Sequence, residues 1–398
     1  MRSDAGWPRV CIADLCEAIV DCVNRTAPIV ERPTPYKMIR TTNVRAGWVD
    51  LLDSKYVTEE TYKRWTRRQV PKCGDIVLTR EAPLGEVGMI RTDESVFLGQ
   101  RLVSYRADSQ KLDNRFLLYS FQEQDLQAQI KALGSGATVE HMRVPDAKKL
   151  TIVLPPLDVQ HQIGSILSAY DDLIENNTRR IAILEEMARA LYQEWFVHFR
   201  FPGHEHVPLA PSPLGPIPEG WELGKLEQYV ELTYGKALKA DDRQEGPFPV
   251  YGSSGIVGYH SSRLVDGPGI IVGRKGNVGS VYWSDDPFYP IDTVYYVKSK
   301  LPLHYVYFNL MSQNFINNDA AVPGLNRKQA YSLPFLTPTA EWLASFQKIC
   351  DAFFKLHRNL RLRNENLRTT RDLLLPKLIS GEIDVSALSE EPIAEAAD

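Results

Sequence analysis

The sequence predicts an α+β chain: two mixed α/β globular segments separated by two long, antiparallel coiled-coil helices, arranged as a pseudo-twofold internal repeat. Three observations predict it. First, the chain contains itself twice. Ile152-Val153-Leu154-Pro155-Pro156 leads into a long amphipathic stretch, and Pro334-Phe335-Leu336-Thr337-Pro338 does the same. Pairing Pro155 with Pro338 gives an offset of 183 (338 − 155), held without a gap through Ile163/Phe346, Asn176/Asn359, Leu184/Leu367 and Leu191/Leu374. Second, both stretches carry an apolar seam with alternating steps of four and three. Third, Gly203 to Gly220 holds five prolines (Pro208, Pro211, Pro213, Pro216, Pro218), which excludes helix and central strand and marks a boundary.

The elements follow in order. Residues 1–154 read as a strand-rich first domain, with strands at Asp75-Ile76-Val77-Leu78-Thr79, Glu86-Val87-Gly88-Met89-Ile90 and Leu102-Val103-Ser104-Tyr105. A helix from Asn114 to Leu133 is closed by Gly134-Ser135-Gly136. Residues 155–202 form the first long helix. Its seam is Ile163, Leu167, Tyr170, Ile174, Asn177, Ile181, Leu184, Ala188, Leu191 and Trp195, where Asn177 alone is polar and fixes register. Such a helix is roughly 58 Å long. Residues 203–220 are the Pro-rich linker, and 221–337 the second domain, whose Gly220-Trp221-Glu222-Leu223 echoes Gly6-Trp7-Pro8-Arg9. Within it, the strand-turn-strand Ile270 to Val281 parallels Ile76 to Val87 at an offset of 194 (270 − 76), matching Arg80 with Arg274 and Gly85 with Gly279. Residues 338–381 form the second long helix, with seam Phe346, Ile349, Phe353, Leu356, Leu360, Leu367 and Leu374, ended by Pro376 and Gly381. Residues 382–398 read as a disordered acidic tail.

A chain of 398 residues with 43% hydrophobic and 24% charged residues is an ordinary soluble composition for several domains. No stretch is apolar enough to span a membrane, and Met1-Arg2-Ser3-Asp4 opens no signal region. Five cysteines without Cys-x-x-Cys spacing read as a reduced, cytoplasmic protein without disulfides or a zinc knuckle. The net charge of −4 includes six acids in the tail (Glu382, Asp384, Glu390, Glu391, Glu395, Asp398), so the remainder carries −4 + 6 = +2. A nucleic-acid surface must therefore arise from local clustering.

Catalytic motifs are missing: no phosphate loop, no dinucleotide fingerprint, no His-Glu-x-x-His. Asp286-Pro287-Phe288-Tyr289 resembles a methyl-transfer motif without its second proline and reads as a turn before a strand. His198, His204, Glu205 and His206 read as solvated linker residues rather than metal ligands, and Pro145-Asp146 with Lys148-Lys149 as a coincidental nuclease-like pattern. Trp65, Trp195 and Trp283 read as core anchors. More telling are Lys37 to Arg45 and Lys63-Arg64-Trp65-Thr66-Arg67-Arg68, where cations alternate with small polar and aromatic residues suited to phosphates and base edges.

Several strings resemble the specificity subunits of type I restriction-modification systems. Leu154-Pro155-Pro156-Leu157-Asp158-Val159-Gln160-His161-Gln162-Ile163 is similar to the start of that family's first conserved helix. Glu194-Trp195-Phe196-Val197-His198-Phe199-Arg200-Phe201-Pro202-Gly203 is similar to its end, and Arg371 to Ile383 to the C-terminal conserved region. The second helix start, Pro338-Thr339-Ala340-Glu341-Trp342-Leu343, lacks the family's Glu-Gln pair.

The resemblance implies that each globular segment is a target recognition domain reading half of a split double-stranded DNA target. The helices set the spacing and dock two modification subunits. The chain itself has no catalytic site and no cofactor or metal; S-adenosylmethionine and ATP/Mg belong to the modification and restriction-translocation partners. The DNA-contact residues expected in the first domain are Arg40, Thr42, Asn43, Arg45, Arg80, Gln100 and Arg101. Lys63, Arg64, Arg67 and Arg68 are expected on backbone phosphates. In the second domain they are Ser253, Ser254, Arg274, Lys275, Asn277, Asn326 and Arg327. The seam residues are expected at the helix-pair and partner interface. A coiled-coil protein scaffold, a stand-alone DNA-modifying enzyme and a system lacking the restriction partner are the alternatives.

Overall fold

The computed structural model describes residues 6–135, 140–315 and 324–386; Met1 to Asp4, Gly136 and the tail acids Glu390, Glu391, Glu395 and Asp398 lie outside them. The chain divides into two compact units, Met1–Asn176 with Asn364–Asp398, and Asn177–Arg363.

In the first unit the strand Arg9–Cys11 pairs antiparallel with Thr151–Val153. A six-stranded sheet runs in the order Cys16–Asp21, Leu102–Ala107, Ile76–Arg80, Leu84–Met89, Gly47–Val49, Val44–Arg45. A three-stranded sheet places Tyr36–Ile39 between Lys55–Tyr56 and a parallel Ser95–Leu98. The expected single helix from Asn114 to Leu133 is two helices, Asn114–Gln122 and Gln124–Leu133. Glu123 breaks it: its backbone is extended, and its carboxylate accepts the Asp125 N–H at 2.6 Å as a cap. These helices bury Phe116, Leu117, Tyr119, Phe121 and Ile130 in one core with Ile76, Leu78 and Tyr105 of the sheet. Each such side chain contributes about 1.5–3 kcal/mol by leaving water.

The second unit repeats the plan. Glu222–Lys225 pairs with Pro334–Thr337. A four-stranded sheet runs Val230–Tyr234, Val294–Ser299, Gly269–Gly273, Val281–Ser284. Phe248–Gly252 lies between Gly255–His260 and a parallel Tyr289–Pro290. The repeat extends to register: Arg9 faces Val153 and Leu223 faces Leu336, related by offsets of 214 (223 − 9) and 183 (336 − 153). The Pro-rich linker contributes a two-residue strand pair, Leu209–Ala210 with Ile217–Pro218.

The first long helix spans Leu157–Tyr192 and ends in a π turn, Gln193–Val197; the second spans Ala340–Ser380. Within the first unit they run antiparallel: Arg371 meets Asp171 while Asn364 Nδ2 donates to the Ile174 carbonyl at 3.2 Å. Within the second unit Glu185 meets His357 at 3.1 Å, and Trp195 packs on Trp342 with ring centroids 5.8 Å apart.

Several expectations need correction. The seam is not reserved for the helix pair. Ile163 and Leu167 share the first domain's core with Phe116 and Leu378, and Trp195 and Phe346 share the second domain's core with Tyr305 and Phe335. Leu356 is exposed. Pro376 sits inside the helix rather than ending it: proline forfeits one backbone bond near the terminus, while buried Leu375, Leu378 and Ile379 hold the last turns. Gly381, left-handed at φ 78, makes the stop. Residues 382–386 are not a loose tail; Val385 is buried and the Ile383 N–H donates to the Lys377 carbonyl at 3.1 Å.

Candidate nucleic-acid interface

The site in the first domain is built where two strands end. Arg80 closes Ile76–Arg80, and its N–H donates to the Arg101 carbonyl at 2.8 Å. The turn carrying Gln100 and Arg101 is pinned by Gly99 N–H to the Ile39 carbonyl at 2.7 Å, which places it beside Arg40. Arg40, Arg80, Gln100 and Arg101 are thereby brought to one end of the domain. Arg101 holds a left-handed backbone, φ 70, uncommon for a side-chain-bearing residue, and its guanidinium lies 3.5 Å from Glu81. Gln100 accepts from Thr26 Oγ1 at 3.3 Å.

Arg80 and Arg274 are true structural equivalents. Met142 N–H donates to the Arg80 carbonyl at 2.9 Å, and Leu325 N–H to the Arg274 carbonyl at 2.8 Å; 325 − 142 is again 183. Arg274 N–H donates to Thr293 as Arg80 does to Arg101. Both guanidiniums also hold backbone: Arg80 Nη1 donates to the Met142 carbonyl at 3.0 Å, and Arg274 Nε and Nη2 to the Asp292 carbonyl at 3.0 and 2.5 Å. The arginine recurs because this corner joins three chain segments. Gly85 and Gly279, left-handed at φ 92 and φ 76, close the same turn in each copy.

The second domain gathers its candidates more tightly. The hairpin tip carrying Ser253 and Ser254 abuts the 274–280 turn, since Ser280 Oγ and the Tyr282 hydroxyl donate to the Ser253 carbonyl at 2.9 and 3.1 Å. Lys275 bridges to Gly324, which brings in Asn326 and Arg327. Ser254, Lys275, Asn277 and Arg327 are exposed.

Other candidates fall elsewhere. Asn43 is 3% exposed and its Oδ1 accepts the Arg40 N–H at 2.9 Å, so it builds the turn and offers DNA no face. Asn326 stays beside the Lys275 bridge, but its Oδ1 is engaged in capping the helix Arg327–Tyr331 through the Lys328 N–H. Thr42 is exposed on that first turn, and Arg45 on a two-residue hairpin whose Ala46 and Gly47 are both left-handed. The Lys63–Arg68 cluster sits on the helix Glu59–Trp65 and just beyond it, over a separate small core of Tyr36, Tyr62, Trp65 and Phe97. There Lys63 pairs with Glu59, Arg64 lies over Trp65, Arg68 meets Asp21, and Arg67 is exposed.

The motifs set aside have structural roles. Buried Asp146 holds Arg143 and Lys149, each at 2.9 Å. Asp286 sits in the turn before Tyr289–Pro290; partial burial pushes its carboxyl up, but Arg358 and Arg361 outweigh that and lower it. Among the described residues no His/Cys/Asp/Glu group could hold a metal, and no helix is long and apolar enough to cross a membrane. Two residues at these ends were not expected from sequence: Glu81, beside Arg101, and Tyr234, whose ring lies near the guanidiniums of Arg274 and Arg327. Glu81 was signalled by its place beside Arg80 in the turn; Tyr234 had no signal beyond ending a strand.

The model of the type I restriction modification DNA specificity domain matches this chain twice, over residues 5–186 and 218–368. The chain belongs to that family. Each match takes in one recognition domain of this specificity protein and helix beyond it. It is 24% identical over 369 residues to the type I restriction enzyme MjaIX specificity subunit of Methanocaldococcus jannaschii, covering 83% of this chain and 82% of that one. It is 31% identical over 199 residues to the MjaVIII specificity subunit of the same organism, covering 48% and 45%. The crystal structure of a type I S subunit from M. genitalium shares the fold, with a TM-score of 0.61 at 19% identity over 94% of this chain and 96% of that one.

Proposed function

We propose that this protein is the sequence-reading, non-catalytic subunit of a type I restriction-modification complex. Each domain reads one half of a split duplex target from the end that carries Arg80 and Arg101 or Arg274, Lys275 and Arg327. The two long helices set the half-site spacing. Two modification subunits, with S-adenosylmethionine, dock on the helices, and restriction-translocation subunits with ATP/Mg complete the assembly. The observation that carries this reading is the double family match, each copy ending in a helix and each domain gathering cations at equivalent strand ends.

Because the ends of the seam are taken up by the two domain cores, partner contact falls on outward apolar residues instead. These are Leu173 and Leu373 in the first unit, and Ile183, Met187 and Leu362 in the second, 39% to 64% exposed. Selection of bound duplexes by the full chain with its modification subunits tests the reading. The expected result is a bipartite consensus whose gap shortens when one heptad is removed from both helices. A continuous consensus, or a gap indifferent to helix length, overturns it.

A further inference from the structure

Tyr234 ends the edge strand Val230–Tyr234 and is 48% exposed, yet its ring is flanked by two guanidiniums. Arg274 Cζ lies 5.3 Å and Arg327 Cζ 5.0 Å from the ring centroid. Tyr295 forms the floor, its centroid 5.0 Å from that of Tyr234 and its hydroxyl donating to the Leu325 carbonyl at 3.3 Å.

The group is preorganised and short of an anion. Arg274 is locked through Nε and Nη2 to a backbone carbonyl, which leaves Nη1 uncommitted among the described residues. Arg327 has no ion pair or hydrogen bond from its side chain among the described residues. The acid on the same strand, Glu231, is directed to Lys298 at 3.6 Å. One fixed guanidinium and one uncommitted guanidinium beside a phenol match the tetrahedral oxygens of a phosphodiester, since guanidinium forks bind phosphate strongly and a phenol adds a neutral donor.

Resting on the function proposed above, we propose that Tyr234, Arg274 and Arg327 clamp one backbone phosphate of duplex DNA beside the half-site read by the second domain. The clamp is one-sided. Strand register sets Tyr234 opposite Tyr295 as it sets Asp21 opposite Val103, and Asp21 is an acid already engaged by Arg68. At that register position the first domain carries no equivalent ring.

The test uses the full chain with its modification subunits and a duplex bearing the selected target. Arg327→Gln and Tyr234→Ala are compared with wild type by salt titration, phosphate-ethylation interference and repeated selection. Both variants are expected to bind about tenfold more weakly, to lose one interference signal beside the second half-site only and to keep the consensus; Arg327→Gln alone lowers the salt slope, by about 1, because the phenol carries no charge. Tyr234→Phe, which keeps the ring and the fold, loses part of the affinity. An unchanged slope for Arg327→Gln, with unchanged interference in both variants of a wild type that still selects its target, overturns the clamp alone. A changed consensus at one base overturns it in favour of base reading. Wild type selecting no sequence overturns the proposed function itself.

Discussion

The two units solve one packing problem with opposite chemistry. Where the first long helix meets the first domain, Asp171 is 1% exposed, accepts from the Tyr119 hydroxyl at 2.7 Å and pairs with Arg371. The offset of 183 carries Asp171 to Phe354 (171 + 183) and Ala188 to Arg371 (188 + 183). Phe354 packs against Phe308, Trp283 and His304 with centroids 6.3, 4.9 and 4.2 Å away, and Ala188 is fully buried. The pattern recurs at the helix starts. Gln160 accepts the Asp113 N–H at 3.0 Å and donates to the Pro155 carbonyl at 2.9 Å; its counterpart Leu343 (160 + 183) is simply buried among apolar groups. Charge also reverses. In the first unit Arg91, stacked 3.8 Å over Trp48, reaches helix acids Asp171 and Asp172; in the second, Asp286 reaches helix cations Arg358 and Arg361. A duplicated fold with identical junctions would let either domain seat on either helix. Reversed charge and mismatched polarity penalise that exchange.

The largest effect expected follows from the buried ion pair. Arg371→Ala leaves Asp171 inside the first unit with only Tyr119 and the more distant Arg91, at a cost of about 3–5 kcal/mol. Arg371→Met with Asp171→Leu recovers most of it, because an apolar pair of similar volume needs no compensation. Urea unfolding read by hydrogen exchange over residues 102–133 checks both. A single variant losing under about 1 kcal/mol contradicts the view that this junction is held by charge. The matching change in the second unit, Phe354→Ala, removes a half-buried ring from the aromatic cluster and costs about 2 kcal/mol, less than a fully buried phenylalanine. Its exchange signature belongs in residues 281–312.

How far these differences were readable from sequence depends on their physical origin. The helices and the repeat were legible because periodicity and a gapless offset survive divergence. The pairing of Arg80 with Arg274 was legible for the same reason. What their guanidiniums do was not, since spacing fixes a backbone position and not the direction of a long side chain. Asn43 looked like a base reader because turn-building and DNA-contacting asparagines share composition. The break at Glu123 was hidden because Glu, Gln and Asp fit a helix interior and a cap alike. Tyr234 escaped because its meaning comes from Arg327, ninety-three residues later (327 − 234). The departure at Leu343 was visible as a missing glutamine; its reason, an apolar junction, required the fold.

A smaller effect sharpens the charge reversal. Asp286, Arg358 and Arg361 are all about a third exposed or more, so their coupling is about 0.5–1 kcal/mol, measurable by a double-mutant cycle of Asp286→Asn with Arg361→Gln. Coupling indistinguishable from zero removes this contact from the set that distinguishes the two junctions. Its pH signature has a definite sign. The carboxyl is held below its ordinary value in the folded state, so its contribution is complete above that value and disappears as pH falls through the lowered one.

The smallest effect is also a matter of protons. His304 is 5% exposed and stacks on Trp283 at 4.6 Å. Burial lowers its pKa below the ordinary 6.5, against an upward pull from Gln347, Asp351 and Asp285. Below 6.5 the unfolded chain takes up a proton that the folded chain declines until its own lower pKa is reached. The second unit therefore loses stability as pH falls through that window, and the loss levels off below it. Counted from the caps Asp113 and Pro302, the corresponding position in the first unit is Arg115, which carries no imidazole. Thermal melting between neutral and mildly acidic pH, read from tryptophan emission, should show a steeper fall for wild type than for His304→Phe. Equal slopes place the acid sensitivity of this unit elsewhere.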